Sequence, residues 1–109
     1  MNPLKVDRTR ITRLTDLPNI GEASAQDLRL IGIEDASQLA GMCPFELYRQ
    51  LCEKTGQRHD PCVIDVFMSV TCFMNGEPPR PWWAFTAIRK AALAERAQQE
   101  IHASPGPAG

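Results

Sequence analysis

The chain has 109 residues, of which 43% are hydrophobic and 23% charged, and its formal net charge is −1. This length and composition predict one globular domain, and the absence of a long apolar run excludes a membrane-spanning helix. Because no apolar leader stands at the N-terminus, we expect a cytoplasmic protein whose four cysteines are reduced thiols rather than disulfides.

The charge is unevenly distributed along the chain. Residues 1–14 and residues 80–96 each hold four basic residues against one acidic residue, a net charge of +3. Residues 34–65 hold three basic residues against six acidic ones, a net charge of −3. A nonspecific DNA binder usually carries a clear basic excess, so a positive patch here requires the two basic segments to share one face. The alternative is that these charges are solvated surface.

The predicted elements are short helices separated by turn residues, and no segment is a convincing β-strand. Pro44 and Pro61 suit first helical positions, Asp35 and Asp60 suit N-caps, and Gly32 suits a helix end. The predicted helices span about residues 10–16, 22–30, 35–41, 44–55, 61–74 and 87–102.

The most apolar of these helices, 61–74, is expected to be central to the fold. Three prolines between Glu77 and Pro81 predict an extended connection before the last helix. We therefore expect an all-α fold, a compact bundle of five or six short helices in a single domain over residues 1–103. Residues 104–109 are predicted to be a disordered Pro/Gly tail.

A tight apolar turn at residues 17–21 stands between the first two predicted helices. Pro18 pre-sets a turn backbone, and Asn19 and Gly21 tolerate left-handed backbone angles. Ile20 lies between them as an apolar plug. Leu-Pro-Asn-Ile-Gly followed by a helix resembles a helix-hairpin-helix motif, although that motif usually has glycine where this chain has Asn19.

The resemblance extends along residues 14–90, through Leu47-Tyr48-Arg49, the 56–65 segment Gly-Gln-Arg-His-Asp-Pro-Cys-Val-Ile-Asp, and the 81–86 segment Pro-Trp-Trp-Ala-Phe-Thr. In these motifs the chain is similar to the small bacterial helix-hairpin-helix proteins of the pathogenicity-locus, or mitomycin-resistance, family. The resemblance implies a SAM-like helical fold more than a function.

A helix-hairpin-helix resemblance implies that the backbone N–H groups of the turn bind a DNA phosphate beside the positive end of the second helix. This role falls on Asn19, Ile20 and Gly21, with the amides of Glu22 and Ala23 nearby. Arg13 and Arg29 could add charged hydrogen bonds. Two features oppose binding: the Asn19 side chain stands at the mouth of the site, and the Glu22 carboxylate repels phosphate. The alternative is a turn that only packs two helices together.

The cysteine and histidine residues around 52–62 allow two further hypotheses. Cys52, His59 and Cys62 are zinc-ligand types, but Cys43 or Asp60 would have to complete the set. Alternatively, Cys62 at a helix N-terminus near His59 could be a nucleophilic thiol with a lowered pKa. The structural alternative is a loop in which His59 and Asp60 hold backbone groups, and we favour it.

The aromatic segment that follows Pro81 is open to three interpretations. Trp82, Trp83 and Phe85 could form a contact surface for a protein partner, or stack bases of single-stranded nucleic acid beside Arg80. The interpretation that we favour is structural, with one tryptophan capping the core and the other covering the proline-rich connection.

The sequence thus predicts a non-enzymatic protein with no metal and no cofactor, because it offers no phosphate loop, dinucleotide fingerprint or catalytic triad. The expected activity is weak, sequence-nonspecific binding of DNA through the turn. The alternative is a protein-interaction module whose contact surface is the aromatic segment. No membrane association is expected.

Overall fold

The computed structural model describes residues 3–103, and every regular element among them is helical. The four α-helices are α1 (Glu22–Leu30), α2 (Pro44–Thr55), α3 (Cys62–Met74) and α4 (Thr86–Ala103). Short 3-10 helices stand at Pro3–Lys5, Arg8–Arg10, Leu14–Asp16, Ala36–Leu39 and Trp82–Phe85. The all-α prediction is confirmed for these residues. The predicted tail at 104–109 lies outside them.

The helix boundaries follow the punctuating residues in the sequence. Pro44 is the first residue of α2, and Gly56 ends that helix with φ of +68°, a left-handed conformation that glycine adopts without steric cost. Gly32 closes α1 in the same way, with φ of +90°. Asp35 caps the 3-10 helix Ala36–Leu39 by accepting the Ser37 amide at 2.8 Å. Local chemistry therefore explains most of the observed boundaries.

The first predicted helix, residues 10–16, is wrong as an α-helix. The chain forms two 3-10 turns instead, because one Asp16 carboxylate oxygen accepts the backbone amides of Thr12 at 3.0 Å and Arg13 at 2.9 Å. These bonds lower the pKa of Asp16 to about 2, the Arg13 amide contributing most. The side chain thus competes with helix formation for the local amides. The third predicted helix is likewise a 3-10 turn, so the described residues contain four α-helices rather than five or six.

The core consists of apolar side chains packed around α3, which is buried on most of its circumference. The main cluster of buried residues is Leu14, Leu17, Ile20, Ala25, Leu28, Ile33, Ala36, Leu39, Leu47, Leu51, Phe67, Val70 and Phe73. A second cluster of Ile64, Met68 and Phe85 joins α3 to the 3-10 helix before α4. None of the described helices combines the length and apolar content needed to cross a bilayer.

Candidate functional site

The 17–21 turn is fixed by the buried side chains of Leu17 and Ile20 and by the left-handed conformation of Asn19. Leu17 and Ile20 are buried in the main cluster, and the Ile20 amide donates to the Leu17 carbonyl at 3.4 Å. Asn19 has φ of +66°, as the third position of a type II turn requires when Pro18 occupies the second. The predicted plug and the predicted tolerance of Asn19 are both observed.

Gly21 does not have the left-handed conformation that the sequence allowed. Its φ is −89° and its ψ is −174°, an extended conformation open to any residue. A Cβ atom built at Gly21 would have no heavy atom within 4 Å. Glycine here therefore leaves open space in front of the helix rather than relieving backbone strain.

The N-terminus of α1 carries no cap from a side chain. Its first helical hydrogen bond runs from the Ala25 amide to the Gly21 carbonyl at 2.9 Å, so the amides of Glu22, Ala23 and Ser24 precede it. Gly21, Glu22 and Ala23 are all exposed. The positive end of the helix dipole and a row of amide donors therefore face solvent at this point.

The Asn19 side chain and the Glu22 carboxylate, which were predicted to oppose phosphate binding, both contact other groups of the chain. The Asn19 side chain is bonded to the proline-rich connection: its amide nitrogen donates to the Arg80 carbonyl at 2.8 Å, and its oxygen accepts from the Trp82 amide at 3.3 Å. The Glu22 carboxylate lies 3.5 Å from the Arg29 guanidinium, which partly compensates its charge. Both side chains that could obstruct an anion are thus engaged by other groups.

The predicted arginines lie near the turn but have different partners. Arg13, 76% exposed, pairs with Asp16 at 3.6 Å just before the turn. Arg29, 45% exposed, pairs with the first residue of α1. The basic segments 1–14 and 80–96 contribute less exposed positive charge than their net charges of +3 suggest. Arg8 donates to the Phe73 and Glu77 carbonyls, and Arg89 is buried.

A buried ion pair joins α3 to α4, and sequence reasoning missed it. Asp65 is fully buried and accepts from the Arg89 Nε at 2.9 Å and from the Thr86 hydroxyl at 2.7 Å. The hydrogen bond to Asp65 raises the pKa of Arg89. The available signal was the composition of α3, in which Asp65 is the only charged residue. A lone carboxylate on such a helix requires a buried partner.

The Cys62 thiol is not activated as one hypothesis required. Asp60 accepts the Cys62 backbone amide at 2.8 Å, and its hydrogen bond with the thiol raises the pKa of Cys62. The hypothesis of a thiol with a lowered pKa, which we did not favour from the sequence, is therefore not supported. The Arg89 guanidinium, 3.9 Å from the Cys62 sulfur, acts in the opposite direction, but the Asp60 hydrogen bond has the larger effect.

The zinc hypothesis has no supporting geometry. Within residues 3–103, no three His, Cys, Asp or Glu side chains converge closely enough to hold a metal ion. The His59 amide donates to the Cys52 sulfur at 3.5 Å, its ring nitrogen is 2.8 Å from the Thr55 hydroxyl, and its carbonyl accepts from the Tyr48 hydroxyl. These contacts make the loop between α2 and α3 a structural corner, the interpretation favoured from the sequence.

The aromatic segment divides into one buried ring and one exposed ring. Phe85 is buried in the second cluster, Trp82 is half-buried, and Trp83 is 62% exposed. The prediction that a tryptophan caps the core is therefore wrong, because Phe85 occupies that position. The exposure of Trp83 leaves a large apolar surface in water.

Comparison with known proteins finds a matching family model and a similar protein. The family model described as "Pathogenicity locus" (Cdd1) matches residues 7–91. The mitomycin resistance protein McrB of Streptomyces lavendulae is 43% identical over 81 residues, which cover 74% of this chain and 77% of the relative. No solved structure gives a significant match. The match to the family model includes the turn, α1, α2, α3 and the beginning of α4.

Proposed function

The chain belongs to the pathogenicity-locus family, and from the turn that it builds at residues 17–21 we propose a helix-hairpin-helix domain that binds the nucleic-acid backbone without reading sequence. The observation that carries this proposal is the uncapped, exposed N-terminus of α1, with Gly21 leaving open space before the amides of Glu22 and Ala23. Oriented amides at the positive end of a helix suit a phosphate, and phosphate contacts carry no sequence information.

The charges around the turn support a weak interaction. Arg13 and Arg29 are exposed, and each is held by a single ion pair near 3.5 Å that a phosphate could compete for. Exposed pairs of this kind contribute little to stability, so exchanging a carboxylate partner for a phosphate costs little. With the net charge at −1, the binding that results is modest and depends on low salt.

The proposed activity is non-enzymatic. The turn offers amide donors, with arginines beside it, but no nucleophilic side chain, and the Cys62 thiol at the start of α3 has a raised pKa. Binding and positioning of a phosphodiester require only the donors that the turn supplies.

Substituting Gly21 tests the proposal most simply. In Gly21→Asp, the new carboxylate can cap the α1 amides, which stabilises the helix by a few tenths of a kcal/mol at most. The same carboxylate occupies the phosphate position and repels an anion, so affinity for a short duplex should fall about tenfold or more. Fluorescence anisotropy with labelled DNA at low salt measures this loss.

Gly21→Ala is the matched control, because it adds a Cβ into open space without adding an acceptor. Its affinity should fall less than that of Gly21→Asp, and the difference between the two variants measures the effect of the added charge. Equal DNA binding by the wild type and Gly21→Asp, with both proteins folded, would remove the α1 N-terminus from the interface.

A protein-interaction module is the second candidate function, and the exposed Trp83 ring favours it. Buried aromatic anchors dominate protein interfaces, so a partner would cover this ring. In that case the Gly21→Asp variant would keep partner binding, whereas Trp83→Ala would lose it. Binding of a duplex backbone and binding of a protein partner therefore depend on different residues and can be separated by these two variants.

A further inference from the structure

The aromatic segment Trp82–Phe85 is held at its beginning by the proposed DNA-binding turn. Asn19 makes two hydrogen bonds to it, one to the Arg80 carbonyl and one from the Trp82 amide. These bonds join residues more than 60 positions apart in the chain. The backbone at Trp83 is consequently close to the turn, since consecutive Cα atoms are only about 3.8 Å apart.

The end of the same segment is held by a different set of contacts. Phe85 is buried against α3, and the next residue, Thr86, donates its hydroxyl to the buried Asp65 at 2.7 Å. Arg89 adds a charged hydrogen bond to Asp65 at 2.9 Å. The segment is therefore fixed at both ends by long-range contacts, and its conformation does not depend on a ligand.

Between these two anchors the Trp83 ring projects into solvent. It meets the Trp82 ring edge-to-face, with centroids 5.6 Å apart and planes inclined at 83°. Arg80, three residues before Trp83, has its guanidinium 5.5 Å from the Phe85 ring centroid and is paired with the Glu77 carboxylate at 3.3 Å, with its side chain 42% exposed. Exposed aromatic rings and arginines are the side chains with which proteins bind single-stranded nucleic acid, the ring by stacking on a base.

We propose that Trp83 stacks an unpaired base of single-stranded nucleic acid whose backbone lies along the α1 amides and Arg80. This inference rests on the proposed function and names its substrate class. The bases of an intact duplex are stacked on one another, so the Trp83 face is available only to a strand that is single or locally open. An aromatic face complements a base, whereas amide donors and a guanidinium complement the phosphates of the same strand.

The test compares a short oligo(dT) with a short blunt duplex at low salt, using the full chain and direct binding by anisotropy. Trp83→Ala should lower oligo(dT) affinity about five- to a hundredfold, because stacking on an aromatic side chain contributes that much per base. Trp83→Phe, which keeps a ring, should retain most of the affinity. Met42→Ala, a second exposed apolar residue elsewhere on the surface, is the control and should change nothing.

The results separate this inference from the proposed function. Loss of oligo(dT) binding in Trp83→Ala with duplex binding unchanged supports base stacking. Unchanged oligo(dT) binding in Trp83→Ala, with both substrates still sensitive to Gly21→Asp, overturns the inference and leaves the backbone-binding proposal in place. Failure of the wild type to bind either substrate overturns both. Quenching of tryptophan fluorescence on oligo(dT) binding, absent in Trp83→Phe if Trp83 is its source, gives an independent readout.

Discussion

The helices α1 and α3 both start after a turn that contains proline, but a side chain caps the first amide of α3 and none caps the first amides of α1. At α3 the chain supplies its own anion, because the Asp60 carboxylate accepts the Cys62 amide at 2.8 Å. At α1 the N-cap is Gly21, which has no side chain to offer, and the first amides face solvent. We call the capped N-terminus of α3 the closed end and the uncapped N-terminus of α1 the open end.

The comparison of α1 with α3 shows which feature leaves the amides of a helix start available to a ligand. A turn and a helix dipole occur at both sites, so neither feature distinguishes them. What distinguishes them is whether a carboxylate of the chain already satisfies the amides. Around α3 the charges of Asp65 and Arg89 are also buried and paired, which makes that end a structural joint. The predictions below alter one end or the other.

The largest expected effect comes from breaking the joint at α3. Asp65→Ala leaves Arg89, only 7% exposed, without its carboxylate and Thr86 without its acceptor. The free energy of unfolding should fall by about 3–5 kcal/mol, the usual cost of an uncompensated buried charge. Urea unfolding measures the loss. The double variant Asp65→Leu with Arg89→Met removes both charges and should recover most of the stability; equal losses in both variants would contradict the ion-pair account.

The next effect concerns one amide at the open end. Glu22→Pro removes a donor at the first position of α1, where proline fits because the preceding Gly21 is extended. Its matched control, Glu22→Ala, removes the same carboxylate but keeps the amide. DNA affinity should be about tenfold lower in the proline variant than in the alanine variant, since a hydrogen bond to a charged group is lost. Anisotropy titration of both proteins gives the ratio, and a ratio near one excludes this amide from the interface.

A smaller effect is expected from removing the Asp60 cap at the start of α3. Asp60→Ala removes the carboxylate that caps Cys62, so thermal stability should decrease, but by less than in Asp65→Ala. DNA affinity should not decrease, because Asp60 lies outside the proposed interface. Differential scanning calorimetry and anisotropy check the two halves of this prediction. A drop in DNA affinity with an intact fold would place α3 in the binding surface.

The smallest effect is the pH dependence of the Asp60 cap at the start of α3. The backbone bond from Cys62 holds the pKa of Asp60 below its ordinary value of 3.8. Because the pKa is depressed in the folded state, the cap contributes fully above about pH 3.8 and is lost as pH falls through the folded value. The Cys62 amide resonance should titrate with a midpoint below 3.8, and Asp60→Asn should abolish that transition. A midpoint at or above the ordinary value would contradict the hydrogen bond.

Much of the fold could be predicted from the sequence because its signals are local. Pro44 and Gly56 bound α2, Gly32 ends α1, and Asp35 caps a 3-10 helix, each through chemistry within a few residues. The helix predicted at residues 10–16 failed for a reason that is also local. Apolar spacing favoured a helix there, but the Asp16 carboxylate takes the amides that the helix needs.

The parts of the candidate site that could not be predicted depend on contacts between distant residues. The turn at 17–21 and its buried Ile20 could be predicted, but not that the Asn19 side chain turns to Arg80 and Trp82. That Asp65 needs a buried partner could be predicted from the composition of α3, but not that the partner is Arg89, since no spacing rule connects α3 with α4. Which aromatic ring is buried depends on the same packing, and Phe85 rather than a tryptophan took that position.

An amide NMR titration with a short DNA duplex at low salt tests the contrast between the two helix starts most directly. Phosphate binding at the start of α1 should shift the resonances of Gly21, Glu22 and Ala23 most, and the shifts should disappear as salt is added, because phosphate binding releases counterions. The Cys62 and Val63 amides at the start of α3 serve as the internal control and should not move. No shift at residues 21–23 at protein concentrations near millimolar, or equal shifts at both helix starts, would contradict the account.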